Sequence, residues 1–312
     1  MATRVSIVLE WDNAVVGGTD RARRVLDALG AQVVELDPDI EVLIVFDDSM
    51  IDGATMHQIV SEHLPTDLAT TLVPHRGSRY YEQKNIGGMR ARGEILVFLD
   101  SDTLPEDRWL TEIVRAFDDP TVQVAAGQVS TGYASFAGKA FALTWNFPLR
   151  TNDGPPHPTH HFNANTVAFR RSIFDRHPFR LDARFRGPCH TLAEELTANG
   201  IEILAIPNAR AIHPAPSGFV YVIQRALCQG HDRLLTYRMR GTRAPFLHSL
   251  KVLGSDVKGS VTRVARLHRD VDLPVWQVPA AIAVAAWYYT WSWLGCVTTM
   301  IRPTFIRRRF RV

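Results

Sequence analysis

The stretch Glu94–Asp102 reads EILVFLDSD, an apolar run that ends in the triplet DSD at residues 100–102. The run has no polar alternation, which is typical of a strand covered on both faces in a parallel sheet. A second run, EVLIVF at residues 41–46, has the same character and ends in Asp47-Asp48. Aspartate at a strand end is an ordinary turn or N-cap residue. Two such ends in one sheet nevertheless favour a functional site, because ligands of these sheets bind beyond the carboxyl ends of the strands.

Strand patterns and helical patterns alternate on both sides of these runs. Val5–Leu9 predicts a first strand, Asp20–Leu29 a helix closed by Gly30, and Ala31–Leu36 a further strand. Such alternation predicts an α/β fold, with a mostly parallel sheet and helices on both faces. We expect a catalytic domain over residues 1–240 and a C-terminal, membrane-associated helical region with a basic tail over residues 241–312.

Composition restricts the class of protein. Hydrophobic residues make up 46% and charged residues 21% of the chain, which is typical of a globular protein. A formal net charge of +3 is too small to indicate a nucleic-acid partner. The three cysteines are far apart and form no CxxC pair, so we expect reduced thiols in a cytosolic protein. The N-terminal residues have no long apolar run, so no secretory signal is expected.

The DSD triplet suits the binding of a nucleotide diphosphate. Asp100 and Asp102 lie two residues apart at the end of a buried strand. One carboxylate can reach ribose hydroxyls while the other holds Mg²⁺ or Mn²⁺, which accepts carboxylate and phosphate oxygens together. Such a cation offsets the charge that develops on a departing diphosphate.

Longer motifs around these residues resemble the inverting glycosyltransferases of family 2, which have the GT-A fold. The resemblance covers roughly residues 3–235. It rests on VSIVLEWDNA (residues 5–14), EVLIVFDDS (41–49), KNIGGMRARGEILVFLDSDTLPEDRWL (84–110), NANTVAFRRSIF (163–174) and GIEILAIPNARAIH (200–213).

The resemblance implies roles for individual residues. It places the nucleobase at Asp47 or Asp48, the diphosphate pocket near Asn85, and the ribose at Asp100. The full donor-binding set that it implies is Glu10, Asp47, Asp48, Asn85, Asp100 and Ser101. Asp102 is the implied metal ligand, with His213 as a possible second ligand. A strand-end histidine without metal, and a turn or helix-cap asparagine, are the structural alternatives for His213 and Asn85.

One family motif is absent at the expected place. The family's Glu-Asp pair, whose aspartate acts as general base, falls here on Pro188-Cys189, within RFRGPCHTLAEEL. His190 is one replacement, since imidazole has a suitable pKa. Glu194 or Glu195 is another, and Cys189 is a further candidate within the same region. An acceptor that needs no side-chain base, or a chain that binds the donor without transferring it, would also explain the departure.

Two motifs outside the donor region bear on the acceptor. His157, His160 and His161 lie in a proline-rich stretch, Thr151–His161, that predicts a surface loop or a lid over the acceptor. Processive relatives carry a Gln-x-x-Arg-Trp motif near Gln224, where this chain has no tryptophan. We therefore expect transfer of a single sugar rather than polymer synthesis.

The C-terminal part changes character. Val278–Ile301 contains no charged residue or histidine, and a helix of this length could cross a hydrocarbon core. Its aromatic residues lie in the middle rather than at the ends, which favours a monotopic, re-entrant or dimer-packed helix over a span or a core helix. Pro245–Leu267 has apolar residues at helical spacing and could lie in the interface beside it or pack on the protein. Five arginines among the last eleven residues indicate an anionic membrane surface.

Together these features predict a metal-dependent, inverting glycosyltransferase. The expected partners are a nucleotide-diphosphate sugar and a glycan or lipid-linked acceptor of the cell envelope, and a homodimer is a further candidate assembly. The expected location is the cytoplasmic face of the cell membrane, as a peripheral, monotopic or single-pass protein. A non-catalytic nucleotide-sugar-binding or scaffold protein is the alternative. A nucleotidyltransferase and a dinucleotide-binding protein are disfavoured, because no glycine-rich loop follows the first strand.

Overall fold

The computed structural model describes residues 4–36, 39–144, 148–150 and 153–310. Arg311 of the predicted basic tail, and residues 151 and 152 of the predicted histidine-rich loop, lie outside these ranges. The strands are β1 (Val5–Glu10), β2 (Ile40–Phe46), β3 (Ala69–Pro74), β4 (Ile95–Asp100), β5 (Leu104–Pro105), β6 (Val124–Thr131), β7 (His157–Thr159), β8 (Thr166–Arg170) and β9 (Ile203–His213). The helices are α1 (Asp12–Gly17), α2 (Thr19–Val34), α3 (Gly53–His63), α4 (Tyr80–Arg90), α5 (Trp109–Arg115), α6 (Phe136–Thr144), α7 (Arg171–Phe174), α8 (Pro188–Ala198), α9 (Phe219–Met239), α10 (Pro245–Leu267), α11 (Val278–Ile301) and α12 (Phe305–Arg309).

The chain divides into two compact units. The first comprises residues 1–130, 150–181 and 188–213, and the second comprises residues 131–149, 182–187 and 214–312. Helix α9 falls in the second unit. The functional division expected at residue 240 stays a prediction.

The first unit is built on one sheet with the strand order β3-β2-β1-β4-β8-β6-β9-β5, in which β7 also pairs with β9. Strands β3, β2, β1 and β4 are parallel, and β8 is antiparallel to β4. All residues of β1, β2 and β4 are buried, which explains why their sequences lack polar alternation. Two apolar clusters that share the residues of these strands form the core on the two faces of the sheet.

Helix α4 shows why glycines occur inside a helical pattern. A Cβ on Gly87 would lie 2.3 Å from Val8 Cγ1, and a Cβ on Gly88 would lie 2.4 Å from Phe174 Cε1. The glycines let the helix backbone approach the sheet and Phe174 more closely than any other residue would permit. This close approach brings the start of α4 next to the ends of β1 and β4.

The prediction of a strand at residues 31–36 is wrong. Helix α2 continues through Gly30 to Val34, and its buried residues Val25, Leu26, Leu29 and Val33 keep helical spacing. Gly30 does not cap the helix. A Cβ there would lie 3.0 Å from His63 O, so the glycine provides room for α3.

The second unit consists mainly of helices. Helices α10 and α11 have the bounds that the sequence predicts, Pro245–Leu267 and Val278–Ile301. Helices α9 and α11 touch backbone to backbone, since a Cβ on Gly230 would lie 1.8 Å from Ser292 O. In the described ranges, no helix combines the length and the apolar character that crossing a membrane requires.

Candidate functional site

The carboxyl ends of β1 and β4 place two acidic side chains next to each other. The strands are parallel and in register, so that Glu10 is the partner of Asp100. Glu10 is fully buried, and Asp100 is buried at the same edge of the sheet. The pairing of two carboxyl groups without solvent is unfavourable unless neighbours compensate their charge. The compensating groups come from α1 and α4.

Asp100 is held by three side chains. Lys84 Nζ lies 2.7 Å from Asp100 Oδ1. Tyr80 Oη lies 2.9 Å from both carboxylate oxygens and donates its hydrogen bond there, and Asn13 Nδ2 donates to Oδ2 at 3.0 Å. A carboxylate with this number of partners has one fixed orientation.

Lys84 is a site residue that the sequence reasoning missed. Its side chain is fully buried, and its ammonium lies 4.9 Å from the centre of the Tyr80 ring and 5.8 Å from that of Phe98. Cation–π contacts of this kind stabilise a desolvated ammonium. A lysine in a helical segment is normally solvated, which is why it drew no attention. The available signal was its position on α4, one helical turn after Tyr80 and directly before Asn85.

Asp102 and His213 lie close together, although they are far apart in sequence. Strand β5 pairs antiparallel with the end of β9, with Leu104 opposite Ile212. This pairing leaves His213 Nε2 3.7 Å from Asp102 Oδ2, and both side chains are about one-eighth exposed, at 12% and 13%. The other oxygen, Asp102 Oδ1, accepts long hydrogen bonds from Thr103 Oγ1 at 3.3 Å and Asn13 Nδ2 at 3.4 Å.

Arg21 is a second residue that the sequence reasoning missed. Its guanidinium donates to the backbone carbonyl of Asp102 and, at 2.7 Å, to that of Ile212. One side chain from α2 therefore joins the two segments that carry Asp102 and His213. Burial lowers the pKa of the Arg21 guanidinium from its ordinary value, while the charge of Asp102 acts in the opposite direction.

Glu10 carries the most perturbed carboxyl of the site. Burial raises its pKa well above the ordinary value, and the neighbouring charge of Asp100 raises it further, while Lys84 acts in the opposite direction. The backbone amide of Asn13 donates to Glu10 Oε2 at 3.1 Å. Glu10 is therefore the carboxyl of this site whose pKa burial and neighbouring carboxylates raise.

The two aspartates after β2 have different surroundings. Asp47 is buried, and its Oδ1 accepts hydrogen bonds from Ser49 N at 3.0 Å, Ser49 Oγ at 2.6 Å and Gly77 N at 2.9 Å. Asp48 is exposed. Asp47 therefore fixes the loops beside the sheet edge, and Asp48 is the one that is open to solvent.

Asn85 and Ser101 are both buried and hydrogen-bonded within the protein. Asn85 Nδ2 donates to Phe179 O at 2.8 Å, and Phe179 N donates to Asn85 Oδ1 at 3.1 Å. Ser101 Oγ accepts from Ala14 N at 3.0 Å. The two side chains fix the backbone around the site, and their predicted contacts with the donor stay predictions.

The candidates for a general base lie at the start of α8. His190 Nε2 is 3.3 Å from Glu194 Oε1, and these side chains are 58% and 51% exposed. Cys189 is half-buried against the apolar core, and its backbone amide donates to Tyr81 Oη at 3.4 Å. Glu195 pairs instead with His177 and Arg180, and the hydrogen bond from His177 is the main cause that lowers its pKa. A carboxylate that is stabilised in this way is a weaker base, so Glu195 is the least suited of the candidates.

The predicted histidine-rich loop contains strand β7, which pairs antiparallel with β9 through His157 opposite Ala205. His157, His160 and His161 are exposed. Within the described ranges, no three or more His, Cys, Asp or Glu side chains lie close enough together to hold a metal ion by themselves. Asp102 and His213 supply one carboxylate oxygen and one imidazole nitrogen, which suits a cation whose remaining ligands come from phosphates and water.

Comparisons with known proteins agree with this geometry. A family model described as Glycosyl transferase family 2 matches residues 18–177, just over half of the 312 residues. The mannosyltransferase PcManGT from Pyrobaculum calidifontis, solved in complex with GDP-Man and Mn²⁺, is 20% identical, with 97% of this chain and 88% of that chain covered and a TM-score of 0.58. S. aureus TarS 1-349, solved in complex with UDP-GlcNAc, is 11% identical, with 98% and 93% covered and a TM-score of 0.55.

No curated protein sequence matches the chain. At these identities the two structures show the fold alone. They confirm the predicted α/β architecture of the GT-A type, including the helices that follow the sheet.

Proposed function

The chain belongs to glycosyl transferase family 2 and is a glycosyltransferase, and from this premise we propose that it moves a single hexose from a nucleotide-diphosphate sugar. The transfer is metal-dependent and inverts the anomeric configuration. The observation that carries the proposal is the convergence of Asp100, Asp102 and His213 at one edge of the sheet. The two structural neighbours bind GDP-Man and UDP-GlcNAc, which supports a donor of this chemical class.

A divalent cation, Mg²⁺ or Mn²⁺, fits the residues at this edge. Asp102 Oδ2 and His213 Nε2 would hold it, and the diphosphate would supply further oxygen ligands. When bound, the cation offsets negative charge on the departing diphosphate. Asp100, held by Lys84, Tyr80 and Asn13, keeps one orientation toward the ribose. Asp48 is the better placed of the two aspartates for a contact with the nucleobase, because it is exposed while Asp47 supports the loops.

We assign the general base to His190. Its contact with Glu194 at 3.3 Å resembles the arrangement in which a carboxylate orients a catalytic imidazole. A base at this position must receive a proton from an acceptor hydroxyl that arrives from solvent, and the exposure of His190 is suited to that. Cys189 is disfavoured as a reactive group because its surroundings are apolar.

The proposed acceptor is a glycan or lipid-linked molecule of the cell envelope, reached from the cytoplasmic face of the membrane. The apolar and basic C-terminal sequence supports this location. Association with a second copy of the chain stays a prediction.

A panel of nucleotide sugars that includes GDP-mannose and UDP-GlcNAc tests donor binding, with and without Mn²⁺. A donor at 100 times its dissociation constant adds about 2.7 kcal/mol to the free energy of unfolding, which a thermal-shift measurement detects. We expect Asp102→Asn to lose the Mn²⁺-dependent part of the shift and Asp67→Asn, an exposed aspartate, to keep it. The absence of a shift with every nucleotide sugar would remove the proposal.

A second function is a non-catalytic nucleotide-sugar-binding protein, and Pro188-Cys189 in place of the family's Glu-Asp pair favours it. The same panel separates the two when donor consumption is followed in parallel. Binding of a donor with neither transfer nor hydrolysis, across a range of sugar and lipid acceptors, would support the second function.

A further inference from the structure

The packing of three helices of the second unit brings three chain segments to a common end. Helices α9 and α11 run parallel. Two contacts in the same order along both helices show this: Phe219 stacks on Trp287, and His231 Nδ1 lies 3.1 Å from Thr299 Oγ1. Helix α10 runs antiparallel to α11. Trp293 Nε1 donates to Ser249 Oγ at 3.2 Å, while Val264 and Ala281 share an apolar cluster. The end of α9, the start of α10 and the end of α11 therefore lie together.

This end of the helices exposes large apolar side chains. Leu247 is 59% exposed and Ile301 is 74% exposed. They belong to an exposed group that consists of Met239, Phe246, Leu247, Ile301 and Phe305. Monomeric proteins rarely leave such residues together in water without a binding role.

The chain segments that form this end are rich in arginine. Exposed arginines accompany the apolar group, namely Arg238, Arg243, Arg302, Arg308 and Arg309. The sequence has no Asp or Glu over residues 233–255 or over residues 273–312. Arg302, Arg308 and Arg309 line a cavity of about 470 Å³ with Phe305, and guanidinium groups suit the recognition of phosphate. We call these arginines and the apolar group the basic end.

The opposite end of the helices differs in charge. It also exposes apolar residues, Val275 at 73% and Trp276 at 74%. Two exposed acids, Asp270 and Asp272, lie there as well. Acidic side chains repel an anionic partner, so the arginine-rich basic end suits such a partner better than the opposite end does.

Part of the apolar stripe of α10 packs within the protein, whereas Leu250 and Val261, each 39% exposed, remain open to solvent. Leu253 and Val257 pack against Tyr288 and Tyr289 of α11, and Val264 is buried. Only the first turns of α10 lie at the basic end. Phe246 and Leu247 remain exposed there, beside the end of α11.

We propose that the basic end is a docking surface for an anionic phospholipid bilayer. The arginines contact lipid phosphates, and the apolar side chains enter the boundary between headgroups and acyl chains. The proposal rests on the proposed function only for its purpose, which is to hold the enzyme near a lipid-linked acceptor. Lipid binding itself needs no donor and no transfer.

Sedimentation of the full chain with vesicles tests the proposal. We expect binding to vesicles of phosphatidylglycerol and phosphatidylcholine in equal parts, and little binding to phosphatidylcholine alone. Raising the salt concentration weakens the binding, because it screens exposed charges. If the wild-type protein did not sediment with the anionic vesicles, the proposal would be overturned.

Matched variants locate the surface. Arg308→Gln with Arg309→Gln is expected to weaken vesicle binding roughly 30-fold, since each arginine near an anionic bilayer strengthens binding about fivefold. Arg266→Gln with Arg269→Gln removes the same charge at the opposite end and is expected to leave binding unchanged. Likewise Leu247→Gln with Ile301→Gln should weaken binding, and Val275→Gln with Trp276→Gln should not. If a double variant at the opposite end weakened vesicle binding as much as its counterpart at the basic end, the proposed location of the surface would be wrong.

Two further outcomes are informative. Equal affinity for duplex DNA and for anionic vesicles would overturn the assignment of lipid as the partner and leave a general polyanion surface. Vesicle binding without any thermal shift by nucleotide sugars would retain this inference while the proposed function fails. A thermal shift with a nucleotide sugar but no vesicle binding would retain the proposed function while this inference fails.

Discussion

The proposed donor side of the site, at the ends of β1 and β4, and the proposed acceptor side, at the start of α8, differ in how tightly the protein holds their side chains. At the ends of β1 and β4, Asp100 and Glu10 are buried, and Lys84, Tyr80 and Asn13 hold Asp100 in one orientation. At the start of α8, His190 and Glu194 are more than half exposed and contact each other at 3.3 Å.

This difference follows from chemistry. A diphosphate and a cation carry dense charge, and fixed dipoles and charges bind them without reorganisation. An acceptor hydroxyl has to arrive and leave, so the group that takes its proton needs access to solvent. The donor side should therefore respond to substitution through both stability and binding, whereas the acceptor side should respond through rate alone.

The largest expected effect is on the donor side, at Lys84. Lys84→Met leaves Asp100 and Glu10 without their buried cation, and breaking a buried pair costs about 3–5 kcal/mol of unfolding free energy. Urea denaturation of the variant and the wild type measures the loss. Lys258→Met, an exposed lysine, is the control.

A double variant tests whether the loss comes from the ion pair. Lys84→Met combined with Asp100→Asn should lose clearly less than the sum of the two single losses, because the second substitution removes the unpaired charge. Additive losses would show that Lys84 contributes by packing rather than by charge.

The next effect is on transfer and concerns Asp102. Asp102→Asn replaces the carboxylate that we propose as a metal ligand by an amide, and we expect transfer to fall about 10³-fold, since a bound cation contributes several kcal/mol to the stabilisation of developing charge. The rate is measured over a series of Mn²⁺ concentrations. Asp67→Asn serves as the control, and an unchanged rate in Asp102→Asn at every concentration would exclude Asp102 as a ligand.

A smaller effect is expected on the acceptor side. His190→Ala should lower kcat about 10²-fold, the lower range for a general base, while the unfolding free energy changes little because the side chain is exposed. His57→Ala is the matched control on an exposed helix face. A loss within about threefold would rule His190 out as the base.

The sequence predicts the elements whose pattern is local and strong. EVLIVF and EILVFL became buried parallel strands, and Val278–Ile301 became one helix with those bounds. The predicted helix ends too early, at Leu29, because Gly30 resembles a C-cap. A glycine is needed at this position because α3 approaches the helix closely, and no local sequence pattern encodes that approach.

The same limit applies to the candidate site. The acidic residues could be found because they follow strands directly. Lys84, Arg21 and Tyr80 lie on helices rather than directly after strands, and their roles depend on how α2 and α4 pack at the end of the sheet. The proximity of Asp102 and His213 was predicted only through the family resemblance, since the pairing of β5 with β9 creates it.

The smallest expected effect concerns Glu10 on the proposed donor side, where the unfolding free energy should depend on pH. Burial and the charge of Asp100 raise the pKa of this carboxyl, so the folded protein keeps a proton that the unfolded chain has lost. The unfolding free energy therefore falls as pH rises from the ordinary pKa of 4.5 toward the raised value. Glu10→Gln cannot ionise and should be more stable than the wild type at pH 8, by on the order of 1 kcal/mol.

That difference should shrink as the pH is lowered toward about 4, where glutamate is protonated in both states. Denaturation curves at several pH values measure it, and Glu202→Gln, which is exposed, should show no such trend. If Glu10→Gln were instead less stable than the wild type at pH 8, Glu10 would be ionised in the folded protein. Lys84 would then compensate two carboxylates rather than one, and the donor side would carry a further negative charge for a cation to neutralise.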